Sequence, residues 1–220
     1  IDLYDIANCS CYPLLTIKNE VDEYKINGGA YIQVKKETIT GYDTSADGKD
    51  IDGCIYLAGT KWAKGVIVQG SDGKNHLDIN EEDGAERHAD FWNYDLEHNN
   101  LDGYKIPSLD QAKNLIDYCS IQKVRAKNTS NSLQYVVYPA KKNERIKSFF
   151  YNIKSTPIAD IRKNGVYIKD NKRYTSIKYE NAYGGYDASV YYYYPEYDNM
   201  FKKYSSTSNW QYCLLLPIKD

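Results

Sequence analysis

No apolar run in this sequence approaches the roughly 20 residues that a helix needs to cross a bilayer, so no membrane-spanning helix is expected. Methionine occurs once and phenylalanine only four times. There is no CxxC pair, which removes the usual zinc-knuckle spacing. A nucleophile elbow, a phosphate-binding glycine loop and a zinc-protease helix are also absent. Neither sign of charge dominates: 28 Lys and Arg face 30 Asp and Glu, a net charge of -2. That balance gives no general electrostatic pull toward nucleic acid or an anionic membrane, so no nucleic-acid partner is expected.

What is present is a folding composition, with 42% hydrophobic and 26% charged residues. At 220 residues the chain has room for one large domain or one domain with an N-terminal extension. Tyrosine is in excess, at 24 residues. Rings with a polar handle suit a recognition surface, because Tyr offers a large, stiff, amphipathic contact area. Tyrosines are also strand formers on half-buried sheets, which is the competing reading. Five cysteines (Cys9, Cys11, Cys54, Cys119, Cys213) make an odd count, so at least one is free or pairs outside the chain. Cys119 and Cys213 meet only if the last strand lies against the helix carrying Cys119. The first residue is Ile1, not Met, so the start reads as a mature or an engineered terminus from which any signal peptide has been removed, and a lipid anchor through a removed N-terminal region is compatible with that.

Residues 1–45 read as short strands broken at Gly28-Gly29 and Gly41 and form a β-rich N-terminal extension or small subdomain. The polar stretch 43–53 reads as a linker or exposed loop. Strands are expected at 54–57 and 65–69, with a turn at Ser71-Asp72-Gly73-Lys74. Ala85, Ala89, Trp92 and Leu96 share one helical face, which predicts a first helix over 85–97. A second helix is marked by a capping box, Ser108 with Gln111, and by an apolar stripe of Leu109, Ala112, Leu115, Ile116 and Cys119. Further strands are expected at 133–138, 165–169 and 190–194, a short helix at 144–153, and a buried closing strand at 212–216.

Four pieces, in order, resemble a known family. Residues 102–110, leading into the second helix, are similar to a "G-W-R-L-P-T-x-x-E" segment; Val136-Val137-Tyr138-Pro139-Ala140 to an "I-F-L-P-A" strand; residues 174–179 to a "Y-W-S-S-T-E-Y" turn; and residues 212–219 to a closing "V-R-P-V-R" strand. Together they resemble bacterial surface proteins of the C-type-lectin-like, formylglycine-generating-enzyme-like superfamily. In some members of that family, diversity-generating retroelements vary the ligand-facing loops. The resemblance covers residues 54–220 and implies an α+β, C-type-lectin-like fold: two helices packed on a small, mostly antiparallel sheet, after the N-terminal extension. Tyr104-Lys105 replaces the family's Trp-Arg, and only Cys213 lies beyond Cys119, so the reactive cysteine pair of the family's enzymes is not matched. Nor do Tyr194-Pro195-Glu196 and Trp210-Gln211-Tyr212 supply the oxygens of a lectin calcium site.

Among the three histidines, His88 and His98 are too far apart for the one-turn spacing of a helical metal pair, and they read as surface or packing residues. Glu81-Glu82-Asp83 reads as a solvated turn ahead of a helix. No metal site, cofactor or catalytic residue is therefore expected. Residues 174–212 hold eleven of the 24 tyrosines, interleaved with Asn, Asp and Ser. The candidate ligand contacts are Tyr183, Tyr186, Tyr191, Tyr193, Tyr197, Asp198, Asn199, Asn209 and Trp210. The expectation is a cell-surface or extracellular protein that binds a carbohydrate, peptide or protein without catalysis. The alternative is a structural or tip subunit of a pilus or surface layer.

Overall fold

The computed structural model describes residues 23–27, 30–79, 85–86, 101, 103–125, 133–148, 162–169, 174–182, 185–193, 201–203 and 214–220. The described residues are mostly β, with a single α-helix among them. The expected pair of helices on a small sheet is therefore corrected, and with it the C-type-lectin-like architecture.

The largest sheet has six strands, in the order β1 (Glu23–Asn27), β2 (Ala30–Thr38), β12 (Glu144–Ser148), β10 (Cys119–Arg125), β11 (Leu133–Pro139) and β13 (Val166–Lys169). All its pairings are antiparallel except β10 with β12. β1 and β2 pair antiparallel from Glu23 opposite Val34 to Asn27 opposite Ala30, Gly28-Gly29 between them lie outside the described residues, and β2 then pairs with β12 as the outer part of this sheet.

A five-stranded sheet runs β3 (Asp50–Ile51), β4 (Cys54–Leu57), β5 (Thr60–Trp62), β17 (Ile218–Lys219) and β9 (Tyr104–Lys105). A three-stranded sheet joins β7 (Asn75–Leu77), β6 (Ile67–Gln69) and β8 (Ala85–Glu86). Another joins β14 (Tyr174–Ala182), β15 (Gly185–Tyr193) and β16 (Lys202–Lys203).

Tight turns set the register of the five-stranded sheet. Asp52-Gly53 and Ala58-Gly59 each place two consecutive residues at positive φ, and Lys142-Asn143 does the same ahead of β12. This geometry matches the right-handed twist of the strands that it joins. Ala58 is the costly member, since a Cβ disfavours the left-handed region. Its N–H donates to Asp47 Oδ1 (3.1 Å), which also accepts the Tyr42 hydroxyl (2.7 Å). Burial raises the Asp47 carboxyl above its ordinary range, although both of these bonds favour the ionised form. The 43–53 stretch, expected as a linker or exposed loop, is folded: a turn of 3-10 helix at Thr44–Ala46 leads into β3, which pairs with β4. Gly48 in this loop lies so close to Pro139 that a Cβ there would come within 2.6 Å of Pro139 Cγ.

Helix α1 (Leu109–Tyr118) begins at the predicted capping box: Ser108 Oγ accepts the Gln111 N–H (3.1 Å), and Gln111 Oε1 accepts the Ser108 N–H (2.8 Å). Such a cap contributes about 1 kcal/mol. Leu109, Ala112, Leu115 and Ile116 are buried, as the stripe requires. At the other end, the Arg145 guanidinium donates to the carbonyls of Ile116 and Asp117 (2.6 Å each) and pairs with Glu37 of β2. A cation there complements the helix dipole, and this one ties the helix to β12 and β2.

One core joins the elements. Ile55, Leu57 and Trp62 of the five-stranded sheet meet Leu115 and Ile116 of α1, Ile121, Tyr135, Val137, Val166 and Ile168 of the six-stranded sheet, and Tyr174, Tyr193, Leu214 and Leu216. A smaller cluster of Val124, Val136 and Tyr138 lies on the opposite face of the six-stranded sheet, as strand alternation demands.

Three further expectations are corrected. Residues 85–86 form β8, paired with β6, where the first helix was expected to start; 87–97 lie outside the described residues. Residues 144–148 are strand rather than helix, because the Lys142-Asn143 turn returns the chain into the sheet. Leu214–Leu216 are buried as expected, but the closing strand is Ile218–Lys219, and Leu214 makes only an isolated bridge with Tyr174.

Candidate binding surface

The Tyr-rich region is built on the β14–β15 hairpin, whose register runs from Tyr174 opposite Tyr193 to Ala182 opposite Gly185. The resemblance placed a turn at 174–179; the chain is extended there instead. Tyr174 and Tyr193 are fully buried, with ring centroids 5.8 Å apart, and Tyr193 stacks on Phe201 at 5.0 Å. The Tyr174 hydroxyl accepts the Lys169 N–H at 2.6 Å, which fixes β14 to the end of β13. There the Lys169 ammonium pairs with the buried Asp78 carboxylate at 2.9 Å. Helix α1 packs against both β14 and β10. Ser176 is also wholly buried, and its hydroxyl has no hydrogen-bond partner.

Of the nine candidate contacts, three fall in described strand. Tyr193 belongs to the core, so its ring is not presented to a ligand. Tyr191, two residues earlier and so on the same face, stands opposite Ser176 and is partly exposed. Tyr186 stands opposite Asn181 in the hairpin register. Tyr183, Tyr197, Asp198, Asn199, Asn209 and Trp210 lie outside the described residues. Sequence reasoning missed Tyr174 as the post that anchors the hairpin. It also missed the Asp78–Lys169 pair, whose members are remote in sequence and carry no local signature.

The two described cysteines are free and buried. Burial pushes the Cys119 thiol well up, helped by the nearby Asp47 charge. Cys54 is also raised by burial, against the opposing effects of a hydrogen bond with Tyr104 and the Lys219 and Lys61 charges. Both thiols are therefore held protonated, which makes them poor nucleophiles. Among the described residues no cluster of His, Cys, Asp and Glu is placed to hold a metal ion, and no helix is long and apolar enough to cross a membrane. His76 is exposed; His88 and His98 lie outside the described residues. No family model, no curated protein and no solved structure matches the chain.

Proposed function

We propose that this is an extracytoplasmic ligand-binding protein, adhesin-like or receptor-like, that recognises a glycan, peptide or protein at a cell surface without catalysis. Its recognition surface is the distal part of the β14–β15 hairpin together with the Tyr-, Asn-, Ser- and Asp-rich segments that adjoin it in sequence. The observation that carries the reading is the contrast along that hairpin. Its root is locked into the core by Tyr174 and Tyr193, while its far register pairs are polar or aromatic: Lys178 with Ser189, Glu180 with Asp187, Asn181 with Tyr186. A rigid base under a mixture of rings and small polar groups is what a preorganised paratope requires.

The test is a glycan and protein array probed with the whole chain, followed by titration of any ligand found against Tyr186→Ala, Tyr183→Ala, Tyr197→Ala and Trp210→Ala. Weakened binding with an unchanged melting temperature is the expected result. Unchanged binding in all four variants would remove the hairpin region as the recognition surface.

The second reading, a structural or tip subunit of a pilus or surface layer, draws on β1. It is an outer strand of the six-stranded sheet, and among the described residues it pairs with β2 alone. Such an edge can accept a strand from a neighbour. A Lys25→Pro change that abolished assembly and spared ligand binding would favour this reading.

A further inference from the structure

The five-stranded sheet carries an ordered row of side chains on one face. Its register sets Tyr56 opposite Lys61, Lys61 opposite Lys219, and Lys219 opposite Tyr104. Directly opposed residues of antiparallel strands share a face, and strands lie about 4.8 Å apart. Two lysines therefore stand side by side between two tyrosines, and all four residues are partly exposed. Opposed like charges destabilise a sheet, and this pair is only partly compensated. Lys61 has Asp52 at 3.4 Å, an exposed pairing of the kind that contributes little. Among the described residues Lys219 has no carboxylate partner, and its ammonium sits 5.6 Å from the centre of the Tyr104 ring. The neighbouring Lys64 and Lys105 are each engaged by a carboxylate, Asp50 and Asp220 respectively.

We infer that this row binds an anionic saccharide, with a carboxylate or sulfate oxygen group held between Lys61 and Lys219 and a sugar ring against a flanking tyrosine. The row runs across the strands from β4 to β9, at right angles to the direction in which a peptide adds to a sheet edge, so a ligand lying along it gains no backbone ladder. Tyrosine supplies an apolar ring with a polar tip, which suits a ligand with apolar faces and a hydroxylated rim. This site is on a different sheet from the β14–β15 hairpin and stands or falls separately from it.

Calorimetric titration of the whole chain tests the inference, using a sulfated tetrasaccharide, a uronate tetrasaccharide, a neutral tetrasaccharide and a Glu-rich peptide. Binding of at least one acidic saccharide is expected, without binding of the neutral one, and weakening as salt is added. Lys219→Gln and Lys61→Gln should each weaken it at least tenfold. Lys74→Gln, in the exposed turn between β6 and β7, should leave it unchanged, and the melting temperature of each variant confirms folding. Three outcomes overturn the inference: no binding of either acidic saccharide at millimolar concentration, binding indifferent to either row substitution, or binding of the peptide alone.

Discussion

At its root the β14–β15 hairpin has Tyr174, Ser176 and Tyr193 buried in the main core, whereas further along the same strands the register pairs Glu180 with Asp187 and Asn181 with Tyr186. The root is arranged as a protein interior: rings in contact with rings, and a hydroxyl bonded to the backbone. The distal part opposes two acidic residues, a pairing that costs a sheet stability. Tyrosine serves both ends, so an excess of tyrosine does not by itself measure a binding surface. Its polar handle is used internally at Tyr174, where it braces one strand against another.

Substitutions at the two ends should separate sharply. Tyr193→Ala empties a ring from the core and should cost about 3–5 kcal/mol in urea unfolding; a cost below about 1 kcal/mol would break the contrast. Tyr174→Phe keeps the ring but strands the Lys169 N–H, so a loss of about 1–3 kcal/mol is expected from the same measurement. Ser176→Ala should act in the opposite direction. It removes a buried hydroxyl without a partner, and a gain of about 1 kcal/mol in unfolding free energy is the expected sign and size. On the proposed reading, Tyr186→Ala should shift stability by no more than about 0.5 kcal/mol, the usual size for a surface substitution, with its effect confined to ligand affinity. A larger loss of stability would move Tyr186 to the structural side of the comparison.

Legibility from sequence followed the range of the interactions involved. Helix α1 was readable because a capping box and an apolar stripe are local. β11 and β13 were readable because β-branched and aromatic residues dominate them. Residues 144–148 were misread because Glu, Arg and Lys are good helix formers; two neighbouring strands and a two-residue turn override that preference. Ala85-Glu86 was lost in the same way, to pairing with β6. The polar residues of β14, Lys178, Glu180 and Asn181, hide a strand whose existence depends on β15. Within the candidate site, Tyr193 and Tyr191 look alike in sequence, and only the packing of Phe201 and Tyr174 makes one of them core.

Cys54 and Cys119 sit at two separate places in the fold, one in a strand of the five-stranded sheet and one at the end of α1, and neither reaches solvent. A thiol sealed in this way can be alkylated only when its surroundings open. The two cysteines are thus built-in clocks: the rate at which each is labelled under native conditions reads the free energy of local opening around it. Equal rates would mean that sheet and helix come apart together as one cooperative unit, and unequal rates would show which of them loosens first.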